Sequence, residues 1–507
     1  DEDGNSSKDA GYISSDKYSL QQVRVIVQPE QELALNVTVT DSGKDGLKNA
    51  VKKALPEGKN FADITSLTIE TVSGASLYWS DGRQGRYADP LTENDAFTFL
   101  LDDCYNLKAL DLSKAAMKAS KVDSYEYQGG TAEQKLPVTE YSLPTDGTWF
   151  PAEALYRERI RRVDGGANTG MKTMRCLETI TFPEDTTVIG LKACRFMPSL
   201  KVIEIPASVK KIENMAFENT KDGSPESSIV FAENSKLETI GNTAFSRRGK
   251  GTLTLPNSVK TIGTEAFGEC DFGSVTLSNS LETISSRAFR DVKGISSVEI
   301  PESVKTIGEY AFVRSDLTEV TIPATVNTIE KGAFMDCANL EKVDLTKANS
   351  EIAIGQAAFN TIKDGSIIYV DGFDMRSKVN NSKCYTKGKT EVVSTSQITD
   401  ETSGLVFDIS QGKAIIIGWN TPDAFDGHLI IPAQITDKAG KEYPVTAILD
   451  GTSDTGIFQG KNELKSIKLP STLESIGDYA FYQVTSISEI NIPKNVTEIG
   501  AYSYQRL

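Results

Sequence analysis

The side chains that could carry out chemistry are few, and their spacing fits no familiar catalytic arrangement. The only histidine in the sequence is His428, which stands beside the apolar segment LIIP. A Ser-His-Asp or Cys-His catalytic site would have to use this residue, and a histidine-based metal site would lack a second histidine. We therefore interpret His428 as a surface residue of a hairpin.

The cysteines fit packing better than reactivity. The sequence has six, and none of them forms a CxxC pair, so neither a zinc site nor a redox motif is predicted and the redox compartment stays open. Cys270 and Cys337 occupy the same place in two repeats, which makes them packing residues. Cys194 stands where other repeats have phenylalanine, so we expect this thiol to be buried and unreactive. The others are Cys104, Cys176 and Cys384.

Two further patterns fail as ligand sites. The tripeptide GKT at 388–390 resembles the end of a phosphate-binding loop, but Lys383 stands where that loop needs a glycine. Asp102 and Asp103 are adjacent, and on a strand they would point to opposite faces; no calcium-loop spacing surrounds them. We predict no catalytic residue, no cofactor and no metal. A hydrolase within 114–170 remains an alternative, and it would need an acid pair or a nucleophile there.

Composition excludes some partners. The chain has 507 residues and a formal net charge of −16, and no basic patch is visible. Binding to nucleic acid needs such a patch, so nucleic acid is not the predicted partner. No run of 18 apolar residues is present, so no membrane span is predicted.

The positions of these residues are set by a repeat of 22 to 26 residues, of which SSVEIPESVKTIGEYAF at 296–312 is one copy. A period of this length indicates stacked supersecondary units. Alternation in each unit predicts a short strand with one buried face, and proline ends that strand because it cannot donate to a ladder. A second short strand follows. We expect the glycine after it to adopt a positive φ in a tight turn.

An Ala-Phe step closes each unit, and we expect its phenylalanine to fill the core. These residues are Phe217, Phe245, Phe267, Phe289, Phe312, Phe334, Phe359 and Phe481. The glycines of the predicted turns are Gly190, Gly241, Gly263, Gly308, Gly477 and Gly500.

The motif I-P-x-S-V-x-x-I-G-x-x-A-F resembles the BspA-like class of bacterial leucine-rich repeats. The resemblance is continuous over roughly 177–370 and looser over 401–507. It implies a right-handed solenoid, display on a bacterial cell surface or secretion, and adhesion to macromolecules. It also implies a possible lipid anchor upstream of residue 1, and it supplies no catalytic residue.

The predicted fold is a β-rich solenoid, a right-handed leucine-rich repeat array, with a small α+β N-terminal cap. We predict a flexible acidic leader at 1–17, the cap at 18–60, irregular repeats with an inserted loop at 61–176, and the regular solenoid at 177–375. A linker or loop at 376–400 would lead to a second repeat module at 401–507. We expect this module to be truncated, so that the natural chain continues or the open edge pairs with something.

Two groups of residues are candidates for ligand binding. One is aromatic and lies where the repeat is irregular, and its members are Tyr78, Trp79, Tyr105, Trp149 and Phe150. The alternative is that these residues pack the insertion against the solenoid. The other is an outward column on the first strand, which includes Thr254, Thr276, Glu299 and Thr321. Its alternative is a purely structural ladder.

These features predict a non-catalytic scaffold that binds an extracellular macromolecule, namely a host matrix protein, a glycan or another surface protein. The alternative is a structural module that stacks on another chain through its open repeat edge. The oligomeric state is left open.

Overall fold

The computed structural model describes residues 32–43, 45–79, 96–119, 148–150, 154–157, 172–219, 227–452 and 454–505. The predicted leader, the first part of the predicted cap and most of the residues at 114–170 lie outside these residues.

The N-terminal part combines strands with short helices, as an α+β cap requires. In chain order its elements are β1 (Leu33–Val39), α1 (Gly46–Ala54), a 3-10 turn (Phe61–Asp63), β2 (Ile64–Thr71), β3 (Leu77–Trp79), α2 (Ala96–Asp103), β4 (Ala109–Lys114) and β5 (Met117–Ala119). Strands β1, β2 and β4 run parallel in one sheet, so the irregular units already stack in the manner of the regular ones.

Most regular coils contribute a longer strand and a strand of two residues, but the coil at 296–312 contributes only the two-residue strand Thr306–Ile307, so the longer strand predicted there before Pro301 is not formed. The elements are β6 (Trp149–Phe150), β7 (Tyr156–Arg157), β8 (Lys172–Thr173), β9 (Thr179–Thr181), β10 (Val188–Ile189), β11 (Val202–Ile205), β12 (Lys211–Ile212), β13 (Ser228–Phe231), β14 (Thr239–Ile240), β15 (Lys250–Thr254), β16 (Thr261–Ile262), β17 (Asp271–Thr276), β18 (Thr283–Ile284), β19 (Thr306–Ile307), β20 (Glu319–Thr321), β21 (Thr328–Ile329), β22 (Lys342–Leu345) and β23 (Ala353–Ile354).

The remaining elements close the first array and build a second one. They are β24 (Ser366–Val370), α3 (Gly372–Asn381), β25 (Thr390–Ser394), β26 (Gln397–Thr399), β27 (Leu405–Asp408), β28 (Ala414–Trp419), β29 (His428–Ile430), β30 (Gln434–Thr436), β31 (Glu442–Ile448), β32 (Ser466–Lys468), β33 (Ser475–Ile476) and β34 (Glu498–Ile499). None of the helices in the described ranges has both the length and the apolar character needed to cross a membrane.

The first array has three faces. The longer strands form the first face, with sheets ordered β1-β2-β4-β9-β11-β13, then β15-β17, then β20-β22-β24-β25. The two-residue strands form the second face, with sheets β6-β10-β12-β14-β16 and β18-β19-β21-β23. The first face is therefore interrupted between β13 and β15 and after β17, and the second between β16 and β18. These parallel ladders confirm the predicted β-rich solenoid.

The third face consists of turns around the Ala-Phe steps, and its backbone also joins successive coils. The amide of Phe245 donates to the carbonyl of Ala266 at 2.8 Å, and the same bond recurs between later coils. Inside this face the phenylalanine rings stack. From Phe217 to Phe359 successive centroids lie 5.2–5.5 Å apart with interplanar angles of 10° or less. All of these rings are 0% exposed, so the Ala-Phe prediction is confirmed.

The second array has its own core. Strands β26, β27 and β28 form an antiparallel meander, and β28 continues into the parallel order β28-β31-β33-β34. Strands β30 and β31 form an antiparallel hairpin. The stacked rings in the core of the second array are Phe458, Phe481 and Tyr504, with successive centroids 5.0 and 5.5 Å apart.

The prediction that the repeat glycines adopt positive φ is wrong. Gly241, Gly263 and Gly308 are not among the positive-φ residues; the left-handed positions are two residues later, at Thr243 (φ 50) and Tyr310 (φ 57), among others. The glycines are needed for space instead. A Cβ on Gly263 would lie 2.4 Å from the backbone nitrogen of Asn242 in the preceding coil.

The predicted linker at 376–400 is also different in the structure. It contains most of α3 and the whole of β25, which extends the first-face sheet beside β24. Met375 and Val379 lie one helical turn apart and are both buried, and Cys384 is 0% exposed. This segment is therefore a further packed coil of the first array rather than a surface loop.

Candidate functional site

An open hollow lies on the first face, where β13 and β15 separate. These strands share a single bridge, Ser227 with Gly249, reinforced by a 2.9 Å hydrogen bond from the Lys250 amide to the Ser227 carbonyl. Beyond this bridge the Ala232 amide bonds back to Ile205 and the Leu255 amide bonds forward to Thr276. The two strands thus diverge and leave a hollow of about 530 Å³ between them.

Two glycines lie where the strands separate. Gly251 has φ +82, a left-handed conformation that suits a sharp change in chain direction. Where β15 pairs with β17 the register also shifts, and the extra residue of this bulge is Gly273 of β17. Gly249 leaves room for the ring of Phe272, because a Cβ there would lie 2.2 Å from that ring.

The hollow is lined without a single charged side chain. Its lining residues are Ile229, Val230, Phe231, Ala232, Asn234, Ser235, Thr252, Thr254, Pro256, Asn257 and Ser258. Val230 is 46% exposed, which is unusual for a strand residue of its type. Hydroxyl and amide groups around exposed apolar side chains suit an uncharged polar ligand.

Sequence comparison identifies the repeats. Residues 171–224, 238–364 and 452–507 match the BspA type leucine rich repeat region, in six copies. The chain carries leucine-rich repeats of the BspA type. No curated protein sequence matches it.

Three solved structures show a distant likeness to this BspA-type chain. One is a leucine-rich repeat protein from Bacteroides ovatus, at 20% identity and a TM-score of 0.27, covering 64% of this chain and 80% of that one. The pneumococcal vaccine antigen PcpA has 21% identity and a TM-score of 0.22, covering 59% and 58%. A leucine-rich cell surface protein from Faecalibacterium prausnitzii has 20% identity and a TM-score of 0.19, covering 59% and 69%.

The residues of the predicted outward column lie on the first face of the BspA-type repeats. Thr254, Thr276, Glu299 and Thr321 are all exposed. Only Thr254 lines the hollow. Val230 was missed by sequence reasoning, although the strand alternation contains the signal, since Val230 pairs in register with the exposed Glu204.

The aromatic candidates do not form one site. Tyr78 and Trp79 lie on β3, which pairs with β5, and Trp149 lies on β6 of the second face. Tyr105 follows α2 and is 54% exposed. Phe150 is 0% exposed, with its ring 5.6 Å from Phe97 and 4.9 Å from Phe182. It is therefore a core residue and not part of a ligand-binding surface.

The residues that could take part in catalysis or bind a metal lie away from the hollow. His428 is exposed on β29, and its Nδ1 lies 2.8 Å from the hydroxyl of Ser466. Its strand pairs in parallel with β32 rather than within a hairpin. Asp102 and Asp103 end α2 instead of lying on a strand, and Asp103 forms a 2.8 Å ion pair with Lys48. Within the described ranges no group of three metal-ligating side chains occurs.

The thiols of the repeats are buried as predicted. Cys194, Cys270 and Cys337 are each at most 1% exposed. Burial raises the pKa of the Cys194 thiol, and it raises the pKa of the other two to about 11. The Cys337 sulfur donates to the Phe312 carbonyl at 3.1 Å. These thiols remain protonated at neutral pH and pack between coils.

Sequence reasoning also missed a row of ion pairs on the third face. Its bonds are Arg195–Glu218 at 2.7 Å, Arg247–Glu269 at 3.0 Å, Arg290–Glu269 at 2.5 Å and Arg314–Asp291 at 2.6 Å. A repeating signal was present, because Arg247, Glu269, Asp291 and Arg314 each follow a core phenylalanine by two residues. These charges pair with one another between coils, so the ion pairs link neighbouring coils on this surface.

Proposed function

We propose that this chain is a surface-displayed or secreted bacterial protein that binds an extracellular macromolecule through the first-face hollow. The observation that supports this is the uncharged lining of the hollow in a chain whose net charge is −16. The ligand it favours is an uncharged polar chain, and a glycan is the first class to test. The role we assign is binding without catalysis.

The lining suggests how such a ligand is held. Val230 and Pro256 supply apolar surface, while Thr252, Thr254 and Asn257 supply hydroxyl and amide groups. A sugar ring has an apolar face and a rim of hydroxyls, so it can contact both kinds of group. A charged ligand finds no opposite charge in this lining.

The test is a pair of substitutions at equivalent outward positions. Val230→Glu places a charge in the hollow, whereas Thr321→Glu places the same charge on the same face several coils away. Both variants and the wild-type chain are assayed against arrays of neutral glycans and extracellular-matrix proteins. We expect Val230→Glu to weaken binding by at least about ten-fold, because an unpaired charge in an interface is costly, and Thr321→Glu to have no such effect.

Two outcomes contradict this proposal. If both variants bind as the wild type does, the hollow is not the binding site. If Thr321→Glu loses affinity as strongly as Val230→Glu, the outward column binds the ligand instead. A Trp149→Ala variant tests the aromatic alternative in the same assay.

Display at the cell surface is the second part of the proposal, and it rests on the BspA-type repeats. A lipid anchor upstream of residue 1 would supply the attachment. Protease accessibility and antibody labelling of intact cells test surface display. Protection of the protein until the cells are lysed would contradict it.

A further inference from the structure

Three tyrosines form an aromatic patch on the third face of the second array. The rings of Tyr479 and Tyr502 stack with centroids 5.0 Å apart, and Tyr482 lies edge-on to Tyr479 at 5.3 Å. Tyr502 is 54% exposed, and the other two are half-buried. We call Tyr479, Tyr482 and Tyr502 the tyrosine patch. It occupies the face that carries the ion-pair row in the first array.

The first array contains one tyrosine at the equivalent position, and two cationic side chains of the same chain lie close to its ring. Tyr310 follows Gly308 by two residues, as Tyr479 follows Gly477 and Tyr502 follows Gly500. The guanidinium of Arg287 lies 5.4 Å from the centroid of the Tyr310 ring, and the ammonium of Lys331 lies 5.7 Å from it. These distances are typical of cation–π contacts.

The equivalent positions that the described residues supply around Tyr479 and before Tyr502 hold no cation. The place of Arg287, in the coil before the tyrosine, is taken by Gly456 for Tyr479 and by Tyr479 itself for Tyr502. The place of Lys331, in the coil after Tyr479, is taken by Ala501. Cation–π contacts occur elsewhere in the second array, on Trp419 and Tyr443, but none involves the tyrosine patch in the part of the chain described.

Carboxylates stand beside the patch without cationic partners. Asp450 accepts a 2.9 Å hydrogen bond from the amide of Asp478, and Asp478 accepts one from the amide of Ala501 at 2.5 Å. Neither carboxylate forms an ion pair with a described residue, in contrast to those of the third face of the first array. Exposed ring faces beside free carboxylates favour a positive charge.

We propose that the tyrosine patch binds a cationic side chain of a partner protein, an arginine or lysine from an exposed basic segment. This inference rests on the proposed function as a binding protein, but it names a different surface and a partner of opposite charge. The bound cation takes the role that Arg287 and Lys331 have at Tyr310. Stacked rings supply the cation–π contact, and Asp478 and Asp450 supply the opposite charge.

The test uses the full chain and a peptide of alternating arginine and glycine, with a glutamine–glycine peptide as the uncharged control. Titrations are carried out at about 0.15 M salt, where general attraction to an acidic protein falls off within about 8 Å. The main variant is Tyr479→Leu/Tyr502→Leu, which leaves the net charge unchanged. The matched control is Tyr310→Leu, at the equivalent position whose cations belong to the chain itself.

We expect the double variant to bind the arginine peptide about five- to thirty-fold more weakly, because each exposed cation–π contact is worth about two- to five-fold. Tyr310→Leu should bind as the wild type does. Asp478→Asn keeps an oxygen acceptor for the Ala501 amide but removes the charge, so it should also weaken binding. This second variant keeps the proposal testable if the double variant is misfolded by circular dichroism.

Three results would overturn the inference. Absence of binding by the wild-type chain is one. Equal affinity of the wild type and a folded double variant is another, since the tyrosine rings would then not contribute to binding. If the double variant misfolds, equal affinity of the wild type and Asp478→Asn has the same meaning for the carboxylate. Loss of neutral glycan binding in the double variant, with arginine-peptide binding retained, would make the patch a glycan site. Val230→Glu should still bind the arginine peptide with wild-type affinity. The proposed site in the hollow and the proposed site at the tyrosine patch can therefore be refuted independently.

Discussion

Replacing Gly263 by alanine tests why each repeat contains a glycine after its second strand. The amide of Gly263 donates to the Ile240 carbonyl at 2.8 Å. A Cβ at this position would lie 2.4 Å from the Asn242 nitrogen and 2.5 Å from the Gly241 carbonyl carbon. Favourable contacts between such atoms need about 3.5 Å, so one coil must move by about 1 Å. The obstructing atoms belong to the backbone and cannot rotate away.

The expected cost follows from this displacement. Overpacking typically costs about 1–3 kcal/mol, and a strained interstrand hydrogen bond adds about 1 kcal/mol. We therefore expect Gly263→Ala to lower the free energy of unfolding by about 3 kcal/mol. The control is Gly251→Ala, because Gly251 has φ +82 and nothing lies within 4 Å of its added Cβ. Left-handed strain alone should cost this control about 1 kcal/mol.

Urea denaturation followed by circular dichroism measures both variants. Hydrogen exchange of peptides spanning 250–270 adds a local measurement, because repeat arrays need not unfold in one step. A larger loss in Gly251→Ala than in Gly263→Ala would refute the argument from coil contact. It would show that backbone conformation, and not space, selects glycine in these repeats.

Three further measurements test the packing and the charges of the array. Phe289→Ala should lower the free energy of unfolding by about 3–5 kcal/mol, and no loss on urea denaturation would contradict the stacked core. A hydrogen bond from Arg247 lowers the pKa of Glu269. The stability from this bond is therefore present above the unfolded pKa of about 4.3 and is lost as the pH falls through the folded pKa. Thermal melts at acid pH should show a weaker pH dependence of stability in Glu269→Gln than in the wild type. The exposed Cys176 should react with a thiol reagent in the native protein, whereas Cys337, whose pKa burial raises to about 11, should react only after unfolding; equal native rates would count against the described burial.

The sequence was sufficient to predict what lies inside each coil. Strand alternation, the proline after Ile322 and the Ala-Phe step each report a local property, and each was observed at the expected place. The strand predicted before Pro301 did not form, although its sequence has the same alternation. Phe312 and its equivalents could be assigned to the core because a large apolar residue at a fixed period has few other uses.

Features that depend on contacts between coils were harder to predict. The close approach at Gly263 involves the backbone of the preceding coil. The position of the glycine was therefore predicted correctly, but its explanation, a positive φ in a turn, was wrong. The hollow lies where β15 leaves its neighbour just past the left-handed Gly251, and a single glycine in a polar segment does not predict such a divergence. The helix α3 was missed because only Met375 and Val379 carry its apolar spacing among polar residues.

The interruptions of the two strand faces have a mechanical consequence. Where the first face loses its ladder, between β13 and β15, the second face is still paired through β14 and β16. Where the second face is interrupted, between β16 and β18, the first face is paired through β15 and β17. Each boundary between these coils therefore keeps a strand ladder on at least one face. The strands can therefore separate on one face while the neighbouring coils stay joined on the other.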